Sequence, residues 1–311
     1  MIVKKEKNRL IGVAAIATPC SARKEKLPAK SLRASKLPRA NQNVVAKAWL
    51  GKLESAAASG DALASELYAG RSFRRVRDVA NALGCRLFVV SAGLGLLDGA
   101  TAVPSYDLTL SSSGDGALRD RLTDVPRPSE WWSSLEASPF ASSINGLCVG
   151  RARILVALTQ PYAEMVGSSL AKLPATDRSR LRILGFGLKP YLSPELHQQL
   201  ITYDDRLNQF IPGPRLDGAS RALAHFAGLV ATRPMASVGA DQSLVDTALS
   251  TVEFVVPVSR QRISDAALAK HVARFIRHGL SATNALKRLR SETRVACEER
   301  RFRRLYEEAL R

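Results

Sequence analysis

The chain of 311 residues is short of cysteine, histidine, acidic residues and long apolar runs, and each shortage removes a class of protein. No apolar run approaches the roughly 18 residues that a membrane-spanning helix needs, so no membrane partner is expected. Four cysteines, Cys20, Cys85, Cys148 and Cys297, lie far apart, and no pair has zinc-ligand spacing. His271 and His278 stand seven apart without the glutamate of a zincin helix. On these grounds no metal and no cofactor is expected. Cys85 and Cys148 read as small buried residues rather than functional thiols. No internal repeat is visible.

Positive charge is what the chain has in excess. Lys and Arg number 46 against 28 Asp and Glu, a net of +18. Residues 1–52 hold 13 basic and 2 acidic side chains, residues 260–311 hold 14 and 6, and the 207 residues between are left at −1. A near-neutral body with two basic ends has the layout of a ligand-binding or catalytic core flanked by polyanion-binding elements. Neither end shows the Trp/Phe/Leu-faced helix that lies in a bilayer interface, so nucleic acid is favoured over a membrane surface. The first twenty residues place charge before a short apolar stretch that leads into a basic segment. This fits a first strand better than an export signal, and a cytoplasmic location is expected.

Four apolar runs read as strands: Ile11–Thr18, Leu87–Val90, Ile154–Thr159 and Leu181–Phe186. Helical patterns fall at Asp61–Leu83, broken near Gly70, and at Pro161–Leu173, where Pro161 suits a first helical turn. Alternating short strands and helices predict an α/β fold with a mostly parallel central sheet and flanking helices. The runs end in Pro19-Cys20-Ser21, Ser91-Ala92-Gly93, Gln160-Pro161-Tyr162 and Gly187-Leu188-Lys189. In a parallel sheet these four ends converge on one edge, where ligands collect.

The segment Leu87–Leu110 is the most informative. A buried strand breaks into Ser91-Ala92-Gly93-Leu94-Gly95, where glycines let backbone amides approach a ligand. Tyr106-Asp107 follows in a loop preceded by Pro104. The glycines have neither dinucleotide-fingerprint nor P-loop spacing. The plainer alternative is a tight turn, a half-buried Tyr106 and an Asp107 that caps the next turn.

Lys24–Asn43 is basic and reads as an arm that orders on a phosphate backbone. Ser111–Asn145 is Ser- and Pro-rich and carries an exposed-looking Trp131-Trp132 pair, either a loop anchor or a base-stacking wedge. His225 sits in a helical pattern and reads as a packed histidine. Residues 236–259 read as a linker between an α/β body at 1–235 and a basic helical domain at 260–311. In that domain Ser264-Asp265 caps a helix with Leu268, Val272, Phe275 and Ile276 on one face, and Gly279 stops it. Ser281 starts a second helix with Leu286 and Leu289, and a third from about Thr293 uses Phe302, Leu305 and Leu310. Helix, glycine turn, helix, helix is the layout of helix-turn-helix modules, with Asn284, Lys287, Arg288 and Arg290 as candidate DNA contacts.

Cys20-Ser21-Ala22-Arg23-Lys24, then Glu66-Leu67-Tyr68-Ala69-Gly70-Arg71-Ser72-Phe73, then Ser91-Ala92-Gly93-Leu94-Gly95-Leu96-Leu97, then Tyr106-Asp107-Leu108-Thr109-Leu110, resemble the YaaA-like group over about residues 11–112. Gly93 and Leu94 stand where that group usually has Lys-Tyr, so any role of that lysine is lost or moved. The resemblance implies DNA binding or a base-modification setting, and an architecture akin to uracil-DNA-glycosylase-type α/β folds. The expectation drawn is a DNA N-glycosylase that excises a modified base from phage DNA in antiviral defence. A non-catalytic DNA-binding stress protein and a base-exchange or nucleotide-processing enzyme are the alternatives. Base chemistry needs an extruded base, and an oxocarbenium-like sugar calls for a carboxylate. Asp107 is first choice, with Glu66 and Asp98 behind it. Tyr106, Tyr68, Ser91, Gly93 and Gly95 are candidate base-binding residues, and Ser21, Arg23, Lys24 and Arg71 candidate DNA contacts.

Overall fold

The structure, a computed structural model, describes residues 12–60, 62–110, 116–254 and 261–310. Ile11, Asp61, Ser111 and positions 255–259 of the expected linker lie outside the described residues. Two compact units are present, Met1–Glu253 and Phe254–Arg311.

In the first unit the chain runs through β1 (Val13–Pro19), α1 (Gln42–Ser55), β2 (Ala62–Leu63), α2 (Ala64–Leu67), α3 (Arg71–Leu83) and β3 (Arg86–Ser91). It continues through β4 (Gly95–Asp98), β5 (Ala102–Val103), α4 (Pro128–Leu135), β6 (Arg153–Ala157), α5 (Gln160–Ala171) and α6 (Ala175–Arg178). Then come β7 (Leu181–Leu184), β8 (Leu200–Ile201), α7 (Leu207–Phe210), α8 (Gly218–Val230) and α9 (Val238–Ser250). A six-stranded sheet has the order β4-β3-β1-β6-β7-β8. Its neighbours are parallel except the hairpin of β3 with β4, so the sheet is mixed and mostly parallel. The β6 and β7 strands are buried at every residue, as strands covered on both faces must be.

Strand order reverses at β1, with β3 on one side and β6 on the other. Right-handed crossovers leaving in opposite directions put α3 and α5 on opposite faces. Accordingly α3 packs with α8 and β1, while α5 packs with α4. The carboxyl ends of β1 and β6, on either side of this reversal, are the usual ligand position in such sheets.

Several expectations are corrected. The basic arm at Lys24–Asn43 is packed onto the body: Leu32, Ala34 and Leu37 are buried. Asp107 N–H donates to the Leu32 carbonyl at 2.8 Å, and Ala34 N–H to the Asp107 carbonyl at 2.7 Å. Helix α1 follows, capped by Asn41 Oδ1 accepting from Val44 N–H at 3.1 Å, and buries Val45, Trp49 and Leu53 at four-residue spacing. The Trp131-Trp132 pair lies on α4 and is buried, with Trp131 Nε1 donating to the Ala92 carbonyl at 2.8 Å. It anchors rather than stacks on bases.

Residues 238–250 of the expected linker form α9, held to the body by charge. Arg153 on β6 and Arg182 on β7 are fully buried, and both donate to the carboxylate of buried Asp241 on α9. Arg153 does so through Nε and Nη2, both at 2.7 Å, and Arg182 through Nε at 2.6 Å. The spare guanidinium protons reach carbonyls of Gly12, Arg233, Ser179 and Ala236, so the group is satisfied throughout.

The second unit has its own core of Leu268, Val272, Phe275, Leu286, Leu289, Phe302 and Leu305. Its elements are β9 (Gln261–Arg262), α10 (Asp265–Arg277), α11 (Ala282–Glu292), β10 (Val295–Ala296) and α12 (Glu299–Ala309). Ser264 and Ser281 cap α10 and α11, and Gly279 takes φ +66° after α10. The last helix starts at Glu299 rather than Thr293 because Val295–Ala296 pairs with β9. Leu310 is exposed and takes no part in that core.

Candidate active site at the strand reversal

The chain leaving β1 is latched to the start of α3. Cys20 N–H donates to the Val90 carbonyl at 3.0 Å, prolonging the β1–β3 ladder by one residue. Ser21 Oγ donates to the Arg23 carbonyl at 2.6 Å and accepts from Gly70 N–H at 3.0 Å. Ala69 N–H donates to the Arg23 carbonyl, and Glu25 N–H to the Leu67 carbonyl. This zipper brings Cys20 and Lys24 beside Tyr68.

Behind them runs a buried chain of hydroxyls. Ser91 Oγ accepts from Gly93 N–H at 3.3 Å and Leu94 N–H at 3.0 Å, which uses both its lone pairs. Its own proton therefore goes to Tyr106 Oη, 2.7 Å away. Tyr68 Oη is 3.2 Å beyond. If each hydroxyl donates once, the chain ends on the Tyr68 proton. Tyr162, on the first turn of α5, meets Cys20 Sγ through its hydroxyl at 3.1 Å. This contact joins the β1 and β6 ends across the switch point. The Lys24 ammonium sits 4.1 Å from the Tyr106 ring centroid and 5.8 Å from that of Tyr68.

The electrostatics follow from burial. Burial pushes the Tyr68, Tyr106 and Tyr162 phenols up, and negative charge on Cys20 would raise each further. All three stay protonated donors at neutral pH. Burial pulls Lys24 down, partly offset by Cys20 and by the Asp107 carboxylate. One thiol, one half-desolvated amine and three phenols are thus gathered at one edge.

The expected site residues are distributed unevenly. Ser21, Ser91, Tyr68, Tyr106 and Lys24 come together, and the half-buried Asp107 carboxylate is close enough to act on Lys24. Glu66 lies on α2, one residue before the Leu67 carbonyl that Glu25 binds. Asp98 sits away from this edge, beside the start of β3, where it pairs with Arg86 and accepts from Ala100 N–H. Tyr68 and Tyr106 are sealed at 0% and 1% exposure, so neither offers a ring face for stacking.

The turn amides also differ from expectation. Gly93 and Leu94 N–H are spent on Ser91. The Gly93 carbonyl accepts from Trp49 Nε1 at 2.6 Å, and a Cβ at Gly93 would overlap the Tyr106 ring. Gly95, at φ +88°, closes the hairpin opposite Ser91. Arg23 is exposed at the edge, and Arg71 is ion-paired with Asp217. In the second unit Asn284 and Lys287 are exposed. Arg288 pairs with Glu292 at 2.6 Å, and Arg290 donates to the Cys297 carbonyl. His225 is packed, as read, against Tyr203 and Phe210.

Cys20 and Tyr162 were missed as site residues. Their signal was present, since both stand in the strand-end tripeptides expected to converge. Among the described residues no group of three or more His, Cys, Asp or Glu side chains could hold a metal, and no helix is long and apolar enough to cross a membrane.

Fold and site together define an open α/β protein with a cluster of proton donors at its switch point. Residues 55–125 match the model of DUF6884, a family of unknown function. That stretch includes Tyr68, Ser91, Tyr106 and Asp107 but not the Cys20–Lys24 loop. No curated protein and no solved structure matches the chain.

Proposed function

We propose that the chain acts on nucleic acid as a DNA N-glycosylase that excises a modified base, in a defence setting. The observation that carries this reading is the meeting of Lys24, Asp107 and the Cys20–Tyr162 pair at one edge, beside the exposed Arg23. Departure of a base leaves positive character on the sugar and negative charge on the base. The Asp107 carboxylate suits the first, and the Lys24 ammonium suits the second. Lys24 is therefore reassigned from a phosphate contact to the reaction centre. The two basic ends support a polyanionic substrate, and the capped helices α10 and α11 with their glycine turn support a helix-turn-helix role for the second unit.

The test is incubation of the purified chain with unmodified and hypermodified phage DNA, followed by assay for alkali-labile abasic sites. Abasic sites on modified DNA alone are expected; intact DNA with salt-sensitive binding would leave the non-catalytic DNA-binding alternative. One observation favours the nucleotide-processing alternative: the cluster is richer in thiol and phenol than in carboxylate. That alternative requires turnover of free nucleotides.

A further inference from the structure

The same sheet edge holds a second feature that the cluster does not use. A crevice of about 320 Å³ lies at the ends of β6 and β7, lined by Leu158, Gln160, Phe186, Arg215 and Leu216 among others. We propose that this crevice is a slot for a planar nitrogen heterocycle, a nucleobase stacked on Phe186 with the Arg215 guanidinium at its edge. The origin of that base in a nucleic-acid strand rests on the function proposed above.

The walls are fixed. One side of the Phe186 ring is seated on the first residue of α8, where a Cβ at Gly218 would come within 2.6 Å of Cδ2. The Arg215 guanidinium lies 5.8 Å from the ring centroid. Gly185 has no room for a side chain against the Leu158 carbonyl, which pins the turn carrying Phe186 to the end of β6. Gly187 follows at φ +65°, a left-handed conformation that glycine adopts without strain. Asp217 ties the loop carrying Arg215 and Leu216 to Arg71 and Ser72 at the start of α3.

The chemistry of the lining selects the ligand. Phe186 is only partly buried, and a base can stack on it. Gln160 is exposed, and its amide has no hydrogen-bond partner among the described residues. A carboxamide reads a donor–acceptor edge of a heterocycle, and a guanidinium donates to its ring nitrogen and carbonyl acceptors. Leu216 is 89% exposed at the rim, an apolar surface with nothing to cover in the free protein. The volume is at the small end for ligand sites and suits a base or nucleoside. Tyr162 lies two residues from Gln160 on the same helical turn, so the slot and the Cys20 cluster share a scaffold.

The test titrates the full chain with adenosine, guanosine, cytidine and thymidine, and with ribose alone, by ligand-observed NMR and calorimetry. At least one nucleoside is expected to bind and ribose is not. Phe186→Ala should weaken binding about tenfold or more. Arg215→Ala, at an exposed position, should weaken it with the melting temperature unchanged, which covers the case of Phe186→Ala failing to fold. Competition by a single-stranded oligonucleotide assigns the base to a strand; its absence assigns the slot to free nucleosides. No nucleoside binding at millimolar concentration, or equal binding by wild type and Arg215→Ala, would overturn the proposal. Abasic-site formation is read separately. Nucleoside binding without abasic sites keeps the slot and removes the glycosylase, whereas abasic sites without nucleoside binding remove the slot and keep the enzyme.

Discussion

Tyr106 is held from three sides: by the Ser91 hydroxyl, by the Gly93 backbone against its ring and by the Lys24 ammonium over its face. Tyr106→Phe removes the acceptor for the buried Ser91 proton, at a cost of about 1–3 kcal/mol in denaturant unfolding. No loss of stability would show that the hydroxyl chain is idle. Asp107→Asn keeps the shape and the backbone pairing with Leu32 and Ala34 but removes the charge facing Lys24. Base release should fall on the order of a hundredfold while the melting temperature and DNA binding hold. A fall in melting temperature with full activity would make Asp107 a structural residue.

His225 gives a test by pH. Burial pulls its imidazole below the ordinary value of 6.5, and Nδ1 lies 2.9 Å from the Tyr203 hydroxyl. The unfolded chain takes up the proton first as pH falls. Stability from this group is therefore full above about pH 6.5 and is lost as pH drops through the lower folded value. The melting temperature of His225→Gln should depend less on pH between 7 and 5 than that of wild type. Parallel curves would remove His225 from the acid response.

At the scale of elements, α9 depends on one carboxylate. Asp241→Ala leaves two buried guanidinium groups on β6 and β7 without a counter-charge, a loss of about 3–5 kcal/mol. A lower urea midpoint with little change in slope is the expected result, and an unchanged midpoint would contradict it. This group also explains why α9 was illegible. Arg153 and Asp241 stand 88 residues apart, and nothing local marks either as buried. The β1, β3, β6 and β7 runs were legible because strands covered on both faces are mostly apolar, even with Arg153 and Arg182 among them, and the break near Gly70 because α3 starts there. Helix α1 carried a readable signal in Val45, Trp49 and Leu53, masked by the basic stretch before it. The Trp pair misled because neighbouring polar residues make a buried helix resemble a loop.

The whole molecule combines a near-neutral centre with basic ends, and the proposed polyanionic substrate rests on that charge distribution. Binding to duplex DNA should weaken with salt by about 0.9 in log affinity per log salt for each phosphate contacted. A chain ending at Glu253 keeps the whole first core and should show a shallower salt slope. Equal slopes would exclude the second unit from binding. The convergence of strand ends was legible from the parallel-sheet argument, but the partners across it were not. Which side chains meet at the switch point depends on register and on the zipper after β1, and neither is local. The most direct measurement of the central claim is abasic-site formation on hypermodified DNA by wild type and Asp107→Asn, side by side at one salt concentration. Alkali-labile sites from wild type, reduced about a hundredfold in the variant with DNA binding unchanged, are expected. Intact DNA with wild type, or equal cleavage by both proteins, would contradict the assignment of base excision to this edge.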